Sequence, residues 1–335
     1  MQVPARRPGL IDRYGREITY LRISVTDRCD YRCVYCMDPD TRFVPRSQVL
    51  SFEEVLTIGA AFVRLGVSKI RVTGGEPLMR KDIVSLLGRL SKLPGLDELV
   101  LTTNGSQLAR HAAGLKAAGV RRLNVSLDTL DAARFRAITR TGDLADVLDG
   151  IETARAAGFE RMKINSVILE NRNEDEVVPL VRYAIARGMD IAFIEEMPLG
   201  EVSDHDRAES FYSNDRIRAD LERTFELVPT LETTGGPSRY VRIAGTATRV
   251  GFISPHSHNF CGDCNRVRLT AEGRLLLCLG QEHSADLREV VRTHPGDTVR
   301  LEAAIRAAMD LKPHGHDFVV GAKPLIFRRM NATGG

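Results

Sequence analysis

Four helical stretches of this chain end alike, in a glycine followed by an apolar residue: Gly66-Val67, Gly119-Val120, Gly158-Phe159 and Gly188-Met189. A glycine there can take the left-handed conformation that closes a last helical turn. The apolar residue after it starts the return to a strand. Between about residues 20 and 200 these endings alternate with six β-rich runs: Leu21–Thr26, Lys69–Thr73, Glu98–Thr103, Arg122–Leu127, Met162–Leu169 and Asp190–Met197. The clearest helix begins at Ser51, where Ser51 and Glu54 form a capping box. Val55, Ile58, Phe62 and Leu65 then give it one buried face. Strands separated by helices pair in parallel through right-handed crossovers. The expected fold is therefore α/β, an incomplete parallel (β/α)6 TIM-like barrel, with working residues at the C-terminal ends of its strands. No G-x-G-x-x-G or G-x-x-x-x-G-K-[ST] follows any of these runs, which argues against a Rossmann or P-loop site.

Past about residue 225 the pattern changes to short strands without long helices: Val241–Ala244, Thr248–Ile253, Arg266–Thr270 and Leu275–Leu277. Glu272-Gly273 separates the last two as a hairpin turn. The turn-rich stretch Thr233–Ser238 divides a core of residues 1–232 from a smaller mixed region, 233–335. Forty-seven Lys+Arg against 44 Asp+Glu leave a net charge of +3, no basis for expecting nucleic acid or a membrane as partner. No run approaches the roughly 20 apolar residues of a membrane span. The N-terminus, Met-Gln-Val-Pro-Ala-Arg-Arg, lacks the apolar core of a signal peptide. A cytoplasmic location follows, where clustered cysteines bind metal or do chemistry rather than form disulfides.

The six cysteines fall into two sets of three. Cys29, Cys33 and Cys36 directly follow the first strand. Three thiolates can hold three irons of a [4Fe–4S] cluster and leave the fourth iron open to a small molecule. A zinc knuckle with a remote fourth ligand is the alternative. The Cys-x3-Cys-x2-Cys spacing, with Tyr35 before its last cysteine and Thr73-Gly74-Gly75-Glu76-Pro77 after the second strand, resembles the radical S-adenosylmethionine (SAM) superfamily. That resemblance implies a [4Fe–4S] cluster whose open iron takes the amino and carboxylate groups of SAM. Tyr35 would lie against the adenine and Glu76 would meet the SAM ammonium. The small Gly75 would let the backbone approach the ligand closely.

Cys261-x2-Cys264-x13-Cys278 again offers three thiolates, with His256 and His258 just upstream. Alone it reads as a Cys3His zinc site or a second [4Fe–4S] cluster. Arg266 and Arg268 alternate along a strand, so both face one way, suited to phosphate oxygens. This spacing, the run Asn265-Arg266-Val267-Arg268-Leu269 and the terminal Gly334-Gly335 resemble the GTP 3′,8-cyclases of molybdenum cofactor biosynthesis over residues 10 to 335. The resemblance implies a SAM-dependent lyase with two [4Fe–4S] clusters. Its 5′-deoxyadenosyl radical removes the 3′ hydrogen of GTP, the C3′ radical attacks C8, and reduction of the resulting radical gives (8S)-3′,8-cyclo-7,8-dihydroguanosine 5′-triphosphate.

Carried onto this sequence, the pattern makes Gly75, Ser126 and Met197 SAM contacts. It makes Arg22, Lys69, Arg71, Thr102, Lys163, Arg266, Val267 and Arg268 GTP contacts, with the Gly-Gly tail entering the site. Implied partners are an external electron donor and a downstream cyclic pyranopterin monophosphate synthase, with a homodimer admissible. The chain departs from the pattern at Ala192, where many members carry arginine. Two other readings are a radical SAM peptide-modifying enzyme with an auxiliary cluster and a zinc-stabilised nucleic-acid-binding protein.

Overall fold

A computed structural model describes residues 9–202, 205–321 and 326–334. The expected runs become β1 (Tyr20–Ser24), β2 (Lys69–Thr73), β3 (Glu98–Thr103), β4 (Arg122–Ser126), β5 (Arg161–Ser166) and β6 (Asp190–Ile194). They pair in parallel, each with the next. Along these strands one set of alternate residues is apolar: Leu21 and Ile23, Ile70 and Val72, Leu99 and Leu101, Leu123 and Val125. That set is buried in one core with Val55, Ile58 and Phe62 of helix α1 (Phe52–Arg64). The other set is largely polar and faces the opposite side. A sheet wrapped by helices on its apolar face therefore gathers its polar residues inside the curve. Phe62 is fully buried, and its truncation to alanine would cost about 3–5 kcal/mol.

The start of α1 is the expected capping box: Ser51 Oγ accepts from Glu54 N at 3.1 Å, and Glu54 Oε2 accepts from Ser51 N at 2.7 Å. Gly66, Gly119, Gly158 and Gly188 have φ of +108°, +86°, +74° and +63°, values that favour glycine. Four of the six strands stop short of the expected limits. Thr26, Leu127, Leu169 and Met197 lie beyond the ends of β1, β4, β5 and β6. After β6 the buried Glu195 carboxylate accepts backbone N–H groups of Asn214, His256 and Ser257, which holds the loop away from the ladder.

The later strands are β7 (Leu227–Pro229), β8 (Arg239–Ile243), β9 (Arg249–Ile253), β10 (Arg266–Leu269), β11 (Arg274–Leu276) and β12 (Ser284–Asp286). They extend both edges of the same sheet, in the order β12-β11-β10-β1-β2-β3-β4-β5-β6-β9-β8-β7. β10 joins β1 in parallel and β9 joins β6 in parallel, while the four outermost strands are antiparallel. The Glu272-Gly273 hairpin is present, with Gly273 at φ +84°. Sequence patterning did not single out β7 and β12, each only three residues long. No helix among the described residues is long and apolar enough to cross a membrane.

Candidate active site

Parallel register builds the cationic part of the site. Tyr20 stands between Arg266 and Lys69, and Arg22 stands between Arg268 and Arg71, in the aligned rows of β10, β1 and β2. Residues i and i+2 of a strand share a face, so five cations and one phenol form a two-by-three grid. Arg71 donates through Nε to the Tyr20 hydroxyl and through Nη1 to Thr102 Oγ1 at 2.8 Å. Burial pushes the Tyr20 phenol up, but Arg71, Arg22 and Lys69 outweigh it and bring it down to about 6. Across the cavity Lys163 donates to the Tyr240 hydroxyl at 3.2 Å. Burial raises that phenol as well, but Lys163, together with Thr234 and Ser238, outweighs it and brings it to about 8. Neither tyrosine belongs to a recognisable motif. Each is visible only once distant strands are paired.

The C-terminal strand ends hold the first cysteine set. The Arg32 and Val34 amides donate to Thr139 and Ile138 carbonyls, both at 2.9 Å, anchoring the cysteine loop to the region after β4. Gly75 N donates to Thr26 O and Glu76 N to Arg28 O, both at 2.7 Å. A Cβ on Gly75 would stand 2.3 Å from the Arg28 carbonyl oxygen. Glycine is required here by a close approach between two loops.

Glu76 is engaged by the protein itself. Its side chain is wholly buried and accepts from Leu78 N at 2.9 Å, Thr103 Oγ1 at 2.8 Å and Asn104 N at 2.6 Å. Burial raises its carboxyl to about 7 against the lowering effect of these bonds. This carboxylate braces the loops after β2 and β3. Asn104, held by that brace, donates to Asp30 Oδ1 at 2.7 Å and to Cys29 Sγ at 3.7 Å. Tyr35 donates to Asp128 Oδ2 at 2.6 Å, while burial raises the Asp128 carboxyl to about 6. Burial pushes the thiols of Cys29 and Cys33 up, and that of Cys36 to about 11.

The second cysteine set has cationic surroundings. Arg16, paired with Asp12 at 2.6 Å, donates to the carbonyls of Cys261 (2.7 Å), His314 (2.6 Å) and Pro313 (2.7 Å). Lys312 donates to Leu277 O at 2.6 Å and to Cys264 Sγ at 3.6 Å. Burial raises the Cys264 thiol, but Arg266 and Lys312 outweigh it and leave it lowered. His256 turns Nε2 to the Glu196 carbonyl at 2.9 Å, and the exposed His258 pairs with Asp215 at 2.7 Å. These two rings are thus engaged away from the triad. All six cysteines are free thiols. As a donor set, two groups of three soft thiolates in one cavity fit two iron–sulfur clusters, each with one iron left open.

One cavity is lined by both cysteine triads, by Tyr35, Gly75, Ser126 and Met197, and by Arg22, Lys69, Arg71, Thr102, Lys163, Arg266, Val267 and Arg268. Gly334 meets two of these lining arginines, its carbonyl accepting from Arg22 Nη2 at 3.1 Å and Arg268 Nη1 at 2.8 Å. A Cβ on Gly334 would lie 2.5 Å from Thr73 Oγ1. The other tail glycine, Gly335, lies outside the described residues. Ala192 pairs with Asn165 and Gly251. A Cβ on Gly251 would meet the Tyr240 ring at 2.7 Å, so Tyr240 covers this small-residue pair on its way to Lys163.

Residues 23–184 match the Radical SAM superfamily, and residues 189–318 match Molybdenum Cofactor Synthesis C. A GTP 3′,8-cyclase of Pseudomonas entomophila (strain L48) is 62% identical over 328 residues, 98% of each chain. GTP 3′,8-cyclase 2 of Pseudomonas aeruginosa is 57% identical over 326 residues, 97% of this chain and 98% of that one. Among solved structures, Streptococcus suis SuiB bound to S-adenosylmethionine superposes with a TM-score of 0.62 at 14% identity. The match covers 95% of this chain and 78% of that one, a likeness of fold.

Proposed function

This chain belongs to the GTP 3′,8-cyclase family of the radical SAM superfamily, and we propose that the cavity described above is where it converts GTP to (8S)-3′,8-cyclo-7,8-dihydroguanosine 5′-triphosphate. This is an early step of molybdenum cofactor biosynthesis. The reading is carried by one observation: a five-cation grid lies in one cavity with both cysteine triads. Arg22, Lys69, Arg71, Arg266 and Arg268 neutralise the triphosphate, which charge-assisted bonds from several strands hold in one orientation. Thr102, Lys163 and the backbone at Val267 complete the GTP contacts. Cys29, Cys33 and Cys36 hold the first [4Fe–4S] cluster, and Tyr35, Gly75, Ser126 and Met197 contact SAM. Cys261, Cys264 and Cys278 hold a second [4Fe–4S] cluster that faces the guanine. When bound, these groups supply the one-electron chemistry that joins ribose C3′ to guanine C8. The protein's part is to present one ribose hydrogen and exclude its neighbours, which is a matter of orientation.

Residues 1–232 serve as the SAM-cleaving core and residues 233–335 as the part that carries the second cluster and the tail. A cytoplasmic enzyme of this kind draws electrons from an external donor. It passes its product to a cyclic pyranopterin monophosphate synthase, and a homodimer is compatible with that role. The test is to give the reduced, reconstituted enzyme SAM together with GTP, ATP or a peptide. Formation of 5′-deoxyadenosine should depend on GTP and be accompanied by the cyclised triphosphate. Formation at the same rate with ATP or without nucleotide would refute the substrate assignment. Peptide dependence would favour the peptide-modifying alternative.

A further inference from the structure

Lys312 is one of the largest fully buried side chains of the protein, 1% exposed. A buried ammonium normally sits against a carboxylate, because removing an isolated charge from water is costly. Among the described residues Lys312 has no such ion pair. Its bonds run to the Leu277 carbonyl at 2.6 Å and to Cys264 Sγ at 3.6 Å. The segment after it is fixed to the same triad. Arg16 ties the carbonyls of Pro313 and His314 to that of Cys261, and a Cβ on Gly315 would stand 3.3 Å from Cys261 Sγ. The lysine is thus held firmly beside the three thiols, with a donor directed at one of them.

We propose that Lys312 is a positioning residue whose counter-charge is the second iron–sulfur cluster, and that it raises the reduction potential of that cluster. The inference rests on the reading that Cys261, Cys264 and Cys278 ligate a cluster. Reduction adds one electron, and so one negative charge, to a group that three thiolates already make anionic. An adjacent ammonium in a dry site stabilises the added charge, and an N–H bond to a ligand sulfur acts in the same direction.

The test is a potentiometric titration of reconstituted full-length protein, with dithionite as reductant and each cluster followed by electron paramagnetic resonance. Lys312→Met should lower the reduced-to-oxidised ratio of the second cluster at least tenfold at a fixed potential, about 59 mV for a one-electron couple. The first cluster serves as internal control and should not move. Lys312→Arg should restore the potential, and Lys312→Gln, a neutral donor, should restore it only in part. An unchanged second-cluster potential in Lys312→Met, with about eight irons retained, would overturn the proposal alone. A wild-type protein with only about four irons would overturn the cluster reading, and the proposal with it. Should Lys312→Met shed the second cluster, retention by Arg with a lowered potential in Gln supports the charge role. Equal loss in all three variants would assign Lys312 to packing and overturn it.

Discussion

The two cysteine triads share one cavity but differ in their charged neighbours. Burial pushes the thiols of Cys29, Cys33 and Cys36 up. Glu76, Asp30 and Asp128 add to this near Cys29 and Cys33, while Arg207, Arg32 and Arg329 oppose it at Cys36. Burial likewise pushes the Cys278 thiol up, whereas Arg266 and Lys312 pull that of Cys264 down and Arg16 holds the Cys261 carbonyl. SAM is a sulfonium that also carries an ammonium, whereas GTP is a polyanion. Asp30 and Glu76 beside the first triad suit a cationic cofactor, and Arg266 and Lys312 beside the second suit a polyanionic substrate, which supports the placement proposed from the cysteine spacings and their family resemblance.

Removing one ligand from each triad should break this comparison most sharply. Cys29→Ala should abolish SAM cleavage outright. Cys261→Ala should retain the first cluster and some SAM cleavage while losing the cyclised product. Chromatography of 5′-deoxyadenosine and of the nucleotide product separates the two outcomes. If Cys261→Ala also loses all SAM cleavage, the two ends do not act separately. Next in size, Arg268→Ala or Arg266→Ala should weaken GTP binding about 10- to 100-fold, the range expected for a lost charge-assisted contact. Calorimetry should find SAM affinity and iron content unchanged. Loss of iron would mean that these arginines hold the second triad together instead.

Glu76→Gln tests the brace. It leaves at least one of three buried donors without an acceptor, which should cost about 1–3 kcal/mol of stability in denaturant titrations without SAM. Unchanged stability with weakened SAM binding would return Glu76 to the cofactor. The smallest effect concerns pH. Because the Tyr20 phenol titrates near 6, raising the pH through that value places a negative charge among the triphosphate contacts. Relative to Tyr20→Phe, wild-type GTP affinity should fall as pH rises, by at most about tenfold per pH unit, the limit for one linked proton. Parallel pH profiles for the two proteins would show that Tyr20 stays protonated.

The parts of the fold legible in the sequence were those fixed locally. Glycine-terminated helices, the Ser51 capping box and β-branched runs located β1 to β6, and short β-rich runs located β8 to β11, to within a few residues. What escaped depended on long-range pairing. Nothing near Arg266 says that β10 lies beside β1, and that placement brings Arg268, Arg22 and Arg71 into one row. Lys312 and Arg16 escaped for the same reason, since each meets the cysteines only through the tertiary fold. The protein partners of Glu76 escaped as well, because the chain turns inward there and the backbone of the next loop donates to its carboxylate.

The most direct test of the two-ended account is iron, sulfide and zinc analysis of anaerobically reconstituted protein, beside Cys29→Ala and Cys261→Ala. The account predicts about eight irons and eight sulfides per chain, falling to about four in either variant, with no bound zinc. About four irons together with one tightly held zinc that only Cys261→Ala removes would contradict it.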